Sequence, residues 1–221
     1  MTKEGLTREL IALRIASELK DGYYVNLGIG LPTLVSNFLP PDVHVTLHSE
    51  NGLLGYGHQA EVEEIDYDLI NAGGMYVTLT PGASFFHHAD SFAMIRGGHI
   101  DVSVLGGLQV SEKGDLANWM VPSRGVGSVG GAMDLVTGAK RVIIAMEHTT
   151  KNGEPRIVKT CSYPLTGKEV VHTVVTNLAV IEVTRQGMVL KEVPRGISPE
   201  EVQAVTEPHL IVSPDLKEID L

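Results

Sequence analysis

Short apolar runs suited to strands covered on both faces recur along this chain, separated by stretches of helical period. That alternation leaves few architectures open. Strands are predicted over residues 23–27, 43–48, 69–71, 76–80, 100–105, 141–146 and 179–183. Several are continuous apolar segments, the pattern of strands buried on both sides. Between them, Ile11, Ile15 and Leu19 recur at helical spacing within residues 7–20, and Asp21-Gly22 stops the run. Pro32 opens a predicted helix that runs to Leu39, and Gly130-Gly131 precedes another over residues 132–137. Ser198-Pro199-Glu200-Glu201 has a serine cap, proline at the first helical position and glutamate three residues after the cap, a strong helix start. Strands alternating with helices imply an α/β layered sandwich with a largely parallel sheet. A single domain over 1–221 is expected, with a less regular tail after about residue 205.

Composition narrows the function classes. An apolar share of 43% and a charged share of 20% are those of a soluble globular chain. The formal net charge of −10 speaks against nucleic acid, which needs a basic surface. No window approaches the roughly 20 apolar residues of a membrane span, and Thr2-Lys3-Glu4 does not open a signal peptide. The single Cys161 has no internal partner, so a reducing, cytoplasmic setting is expected.

Few residues stand where chemistry is done. Glu50 lies at a predicted strand end, in the turn Ser49-Glu50-Asn51-Gly52, and open α/β sheets place sites at such ends. A solvated turn acid has the same signature. Gly28-Ile29-Gly30, between a strand and a helix, suits backbone contact with a phosphate or simply a tight turn, and it lacks the third glycine of a dinucleotide fingerprint. Gly130-Gly131 ahead of a helix gives either oxyanion donors or close packing. His48, His87 and His88 show no accepted metal or nucleophile spacing and read as structural or surface groups, so no metal site is expected. No serine sits in a Gly-x-Ser-x-Gly elbow, and Cys161 has no argued base partner.

The motifs taken together carry more. Asn26-Leu27-Gly28-Ile29-Gly30-Leu31-Pro32, the Ser49–Gly52 turn, Leu69-Ile70-Asn71-Ala72-Gly73, Pro81-Gly82-Ala83-Ser84, Gly130-Gly131-Ala132-Met133-Asp134-Leu135 and Met146-Glu147-His148 follow in order over most of the chain. In that order and spacing the sequence resembles the B subunit of the class I 3-oxoacid coenzyme A transferases. The resemblance implies that Glu50 is the catalytic glutamate, that the Gly131 N–H helps form an oxyanion hole, and that Asn26 lies at the CoA site beside the Gly28–Gly30 turn. It implies a separate A subunit, in an A₂B₂ assembly, and an α/β fold related to sugar-phosphate isomerases.

The implied chemistry explains the residue type. A glutamate with an ordinary pKa of about 4.3 is ionised at neutral pH and needs no base to act as a nucleophile. Coenzyme A enters as substrate and covalent intermediate, with no permanently bound cofactor. An anionic coenzyme on so acidic a chain must find local cations, and Arg96 and Lys140-Arg141 are the candidates, alongside backbone donors or a second chain. The sequence departs from the family pattern at Gly74, where many members carry lysine, and in the loop Pro122–Val129, which includes Arg124 and Ser128. These departures lead us to expect an acyl preference other than succinate/acetoacetate exchange. An acyl-CoA hydrolase on the same scaffold and a non-catalytic CoA-binding subunit are the alternative readings.

Overall fold

The computed structural model describes residues 5–125 and 127–221, so Thr2-Lys3-Glu4 and one position of the altered loop, Val126, lie outside the described residues. Helix α1 (Arg8–Ala16) is capped by the Thr7 hydroxyl, which accepts from Leu10 N–H at 3.3 Å. It leads into β1 (Tyr24–Leu27), the 3₁₀ segment Leu31–Phe38, β2 (Thr46–Ser49), β3 (Leu53–Gln59) and β4 (Val77–Phe85). Then come α2 (His88–Arg96), β5 (Val102–Gly106), β6 (Gln109–Ser111) and β7 (Leu116–Ala117), followed by α3 (Ala132–Gly138), β8 (Arg141–Met146) and β9 (Ile157–Val158). The chain closes with β10 (Thr173–Thr176), β11 (Val180–Thr184), β12 (Gly187–Val193), α4 (Pro199–Ala204) and β13 (Leu210–Glu218). At α4 the expected capping box forms with both reciprocal bonds.

Ten strands make one sheet in the order β13-β12-β11-β10-β8-β5-β1-β2-β3-β4, and β7-β6-β9 form a small second sheet. The centre, β10 through β2, is parallel throughout. Both margins turn antiparallel, at β2-β3-β4 on one side and β10-β11-β12 on the other. The reason at the first margin is local: the Ser49–Gly52 turn is too short for a crossover, so β3 must fold back on β2.

The sheet separates two apolar cores, and strand β8 shows how. Val142, Ile144 and Met146 pack on the side of α2, α3 and α4, whereas Ile143 and Ala145 face α1 and the 3₁₀ segment. A period of two with both sets apolar is what a doubly covered strand requires. α1 is also fixed by charge. Arg14 donates Nε to Glu192 Oε2 at 2.6 Å and Nη2 to Oε1 at 2.8 Å, a buried two-pronged pair that ties the helix to β12.

The expected irregular tail is instead β13, which pairs in parallel with β12 at the sheet edge. Its pattern hid it: only Leu210 and Ser213 of the nine residues are buried, so it lacks the apolar run of an interior strand. Residues 69–71 contribute only an isolated bridge, Ile70 to Tyr76.

Candidate active site

Strands β1, β2 and β5 end side by side, and a cavity of about 400 Å³ opens at their carboxyl ends. Asn26 and Gly28 from the first, Ser49 and Glu50 from the second and Gly106 from the third line it, with Gly131 facing them from the start of α3. The structure therefore gathers Asn26, Gly28, Glu50 and Gly131 around one space. Gly30 is not part of that lining. With φ of 90° it turns the chain into the 3₁₀ segment, and its carbonyl accepts from Thr33 Oγ1 at 2.6 Å. Nor does Gly28 offer its N–H to a ligand, because that group donates to Val104 O at 2.8 Å. Its own requirement is steric: a Cβ there would stand 2.9 Å from Leu105 Cδ2.

The turn that carries Glu50 is held from several directions. Gly52 N–H closes it onto Ser49 O at 3.0 Å, and Asn51 Nδ2 donates to Ile70 O at 2.8 Å. Ser49 Oγ accepts from Ala72 N–H at 2.8 Å. Gly52 has φ of 115°, and a Cβ there would overlap the Phe86 carbonyl, so the position admits only glycine.

Beneath the turn runs a buried polar chain that the sequence reading passed over. Asn26 Nδ2 donates to His48 Nδ1 at 3.0 Å and to His48 O at 3.2 Å. With Nδ1 accepting, the ring proton sits on Nε2, which donates to Ser91 Oγ at 2.9 Å. Ser91 Oγ in turn lies 3.4 Å from Ser49 O, the residue before Glu50. His48 and Ser91 are wholly buried. Burial pushes the His48 pKa down to about 4, so the ring is neutral at neutral pH. Far from a surface group, His48 braces the glutamate turn. The available signal was a polar side chain at an inward position of β2, immediately before the motif.

Glu50 itself is partly buried, and loss of water raises its carboxyl pKa above the usual range. His88 and a hydrogen bond from the Gly131 N–H oppose that shift, and Asp134 adds to it. Gly131 must lack a side chain, because a Cβ would overlap Glu50 Oε2 and crowd Phe92 Cζ at 2.9 Å. Around this pair, the His88 ring lies 4.7 Å from that of Phe92, Arg96 stacks on Phe92 at 5.5 Å, and Arg96 pairs with Asp134 at 2.7 Å. His88 thus belongs to the electrostatic surroundings of Glu50, whereas the sequence reading set it aside. His87 caps α2, its Nδ1 accepting from Ala89 N–H at 3.1 Å.

The thiol of Cys161 is pushed up to about 11 by burial, so it carries little thiolate at neutral pH. Among the described residues no group of three or more His, Cys, Asp or Glu side chains is placed to hold a metal ion. No helix among them is long and apolar enough to cross a membrane.

Fold and site together define an α/β protein that presents a partly desolvated carboxylate, against glycine backbone, at the carboxyl ends of parallel strands. The chain belongs to the coenzyme A transferase family, which matches residues 8–204. It is 56% identical over 200 residues to the B subunit of a succinyl-CoA:3-ketoacid coenzyme A transferase of Helicobacter pylori, covering 90% of this chain and 96% of that one. It is 53% identical over 207 residues to the B subunit of a 3-oxoadipate CoA-transferase of Pseudomonas putida, covering 93% and 97%. Among solved structures it resembles an acyl-CoA transferase of Escherichia coli O157:H7, with a TM-score of 0.76 and 18% identity over 97% of this chain and 43% of that one. That last likeness is one of fold.

Proposed function

We propose that this chain is the glutamate-bearing subunit of a CoA-transferase, moving CoA between short carboxylic or 3-oxo acids through a covalent intermediate on Glu50. The observation that carries this reading is the Glu50 carboxylate in a cavity, backed by the Gly131 N–H and by a turn braced at both ends.

A Glu50 carboxylate oxygen attacks the thioester carbonyl of the donor acyl-CoA, and the C–S bond breaks to give an acyl-glutamyl anhydride and CoA thiolate. The thiolate then attacks the glutamyl carbonyl, the anhydride C–O bond breaks, and the first acid leaves as its carboxylate. Glu50 now carries CoA as a thioester. The acceptor carboxylate reverses both steps. Thioester is exchanged for thioester, so the sequence needs no net proton or energy input. Burial raises the basicity of the Glu50 carboxylate, which makes it a better nucleophile provided it remains ionised. The Gly131 N–H faces an oxygen of Glu50 itself. It is therefore suited to the oxyanion that forms on the glutamyl carbonyl when thiolate attacks, and such donors contribute about 3–4 kcal/mol.

The relatives are named as B subunits, and Ile29, which lines the cavity, is a bare apolar side chain, 73% exposed. We read an A-type partner chain as completing the cleft, in a cytoplasmic A₂B₂ assembly. The test is reconstitution with such a partner and an acyl-CoA, with and without an acceptor acid. CoA transfer that requires both the partner and the acceptor supports the reading. Release of free CoA at the same rate without acceptor makes the protein a hydrolase, and robust transfer by this chain alone removes the partner.

A further inference from the structure

If CoA esters are the substrates, their phosphorylated end needs cations, and those most apparent in the sequence are occupied. Arg96 pairs with Asp134 at 2.7 Å, Lys140 with Asp101 at 2.7 Å and Arg141 with Glu18 at 2.7 Å. A different set lies next to the Glu50 cavity. A groove of about 850 Å³ shares Leu108 with that cavity and carries Arg124, Lys151 and Arg156 along its walls.

We propose that this groove holds the phosphorylated nucleotide end of the CoA thioester, with Arg124 and Lys151 facing its phosphates. The proposal rests on the transferase reading above and specifies where its common substrate extends. Four observations support it. First, the two spaces adjoin in sequence as well as in space: the segment holding Ser123 and Arg124 continues into Ser128 and Gly130, which line the cavity. Second, Arg156 stands at the junction, donating Nη1 to the carbonyl of Gly107, itself a cavity residue, at 3.3 Å. Third, among the described residues the charged ends of Arg124 and Lys151 make no hydrogen bond or ion pair, and both side chains are exposed. Fourth, the shapes divide as such a molecule does. The cavity, with five glycines in its lining, suits a thin thioester arm, whereas the groove is larger and lined mostly by polar and charged side chains.

The groove also holds two acids, Glu154 and Glu207. Glu207 Oε2 accepts from Lys159 N–H at 3.1 Å, and Glu154 Oε2 accepts from Thr150 Oγ1 at 3.4 Å, so both are engaged with their own surroundings. Three cations against two acids is a local positive excess on a chain of net charge −10. On such a surface the attraction is short-ranged and salt-sensitive.

Adenosine 3′,5′-bisphosphate tests the groove directly, because it carries phosphates without a thioester. Titrated calorimetrically into this chain together with its partner, it is expected to bind about tenfold more weakly to the double variant Arg124→Ser, Lys151→Ala, since charge-assisted contacts to phosphate are lost. The wild-type affinity is expected to fall with added salt and the variant's to fall less. In parallel, the ratio of kcat/KM for acyl-CoA over the matching acyl-pantetheine is expected to drop by a similar factor. Equal bisphosphate affinity in wild type and a folded variant overturns the proposal, whatever the catalytic result. The transferase reading is judged separately, by the adduct on Glu50, and acyl-pantetheine alone suffices to form it.

Discussion

Gly131 and Glu50 occupy adjoining space so closely that a Cβ on the glycine would overlap Glu50 Oε2 and stand 2.9 Å from its Cδ. Gly131 has φ of −88° and ψ of 4°, in the bridge region that non-glycine residues also occupy, so the backbone does not demand glycine there. The demand comes from the carboxylate. Gly131→Ala is therefore expected to leave the fold intact while displacing Glu50, with a fall in kcat of about 100-fold. Circular dichroism and steady-state kinetics check the two halves, and an unchanged kcat contradicts the assignment of this contact.

Two buried histidines set the acid limit of the fold. His48 is braced by Asn26 and Ser91, and His148 by Thr176 and Thr206 at 2.8 Å each. Burial lowers both pKa values from 6.5 to about 4. For a folded-state pKa below the unfolded one, the unfolded chain binds the proton first. Stability is then fully present above pH 6.5 and is lost as pH falls toward about 4, by up to about 3 kcal/mol for each ring. Urea unfolding across pH 4 to 7 measures the slope. His148→Gln is expected to lower stability at pH 7 and to flatten its decline. A slope as steep as that of wild type contradicts a neutral buried ring.

The sequence made the central architecture readable, β10 apart, because its strands are apolar on both faces, as Val142–Met146 illustrates. At the margins it found β11 and the start of β4 but not β3, β12 or β13, for the converse reason. β13 and much of β4 are edge strands with exposed, mixed faces, and their pairing is decided by contacts distant in sequence. At the site, the motif order led to Glu50 and Gly131, and both line the cavity. The electrostatic partners His88, Asp134 and Arg96 come together only through the packing of α2 against α3, which no local spacing encodes. Glycines were read least well, since Gly28 and Gly30 look alike in sequence but only the first lines the cavity, with its N–H already spent on Val104.

Asp134 adds to the burial that raises the Glu50 pKa. Its removal in Asp134→Asn also releases the Arg96 guanidinium, and both changes favour the ionised carboxylate. The acidic limb of the kcat/KM profile, which reports the free enzyme, is expected to move to lower pH. The measurement is that profile for wild type and variant, and a limb that stays in place or moves upward contradicts the electrostatic account of the site.

The Arg14–Glu192 pair is buried, and Lys217 reaches the same carboxylate at 3.4 Å. Burial alone would raise the Glu192 pKa, but the hydrogen bonds and charge of Arg14, together with those of Lys217, hold the carboxyl below its ordinary value. Glu192→Ala removes both hydrogen bonds that the buried Arg14 guanidinium makes to β12 and leaves it only the Glu18 carboxylate, at 2.9 Å, so a loss of about 2 kcal/mol is expected from urea unfolding at neutral pH. A loss below about 1 kcal/mol would place the pair among solvated surface contacts.

The identity of the covalent carrier bears most directly on the proposed function. The reconstituted complex, incubated with acyl-CoA and no acceptor, is digested and the peptide containing Glu50 is weighed by mass spectrometry. Wild type is expected to show a CoA thioester on Glu50 that borohydride discharges. Glu50→Gln, nearly the same size and set in a turn, is expected to alter stability by about 0.5 kcal/mol or less. It should nonetheless show no adduct, because an amide is not a carboxylate nucleophile. Turnover by Glu50→Gln at a tenth of the wild-type rate or more, a barrier change of only about 1.4 kcal/mol or less, or an adduct on any other residue, would contradict Glu50 as the carrier.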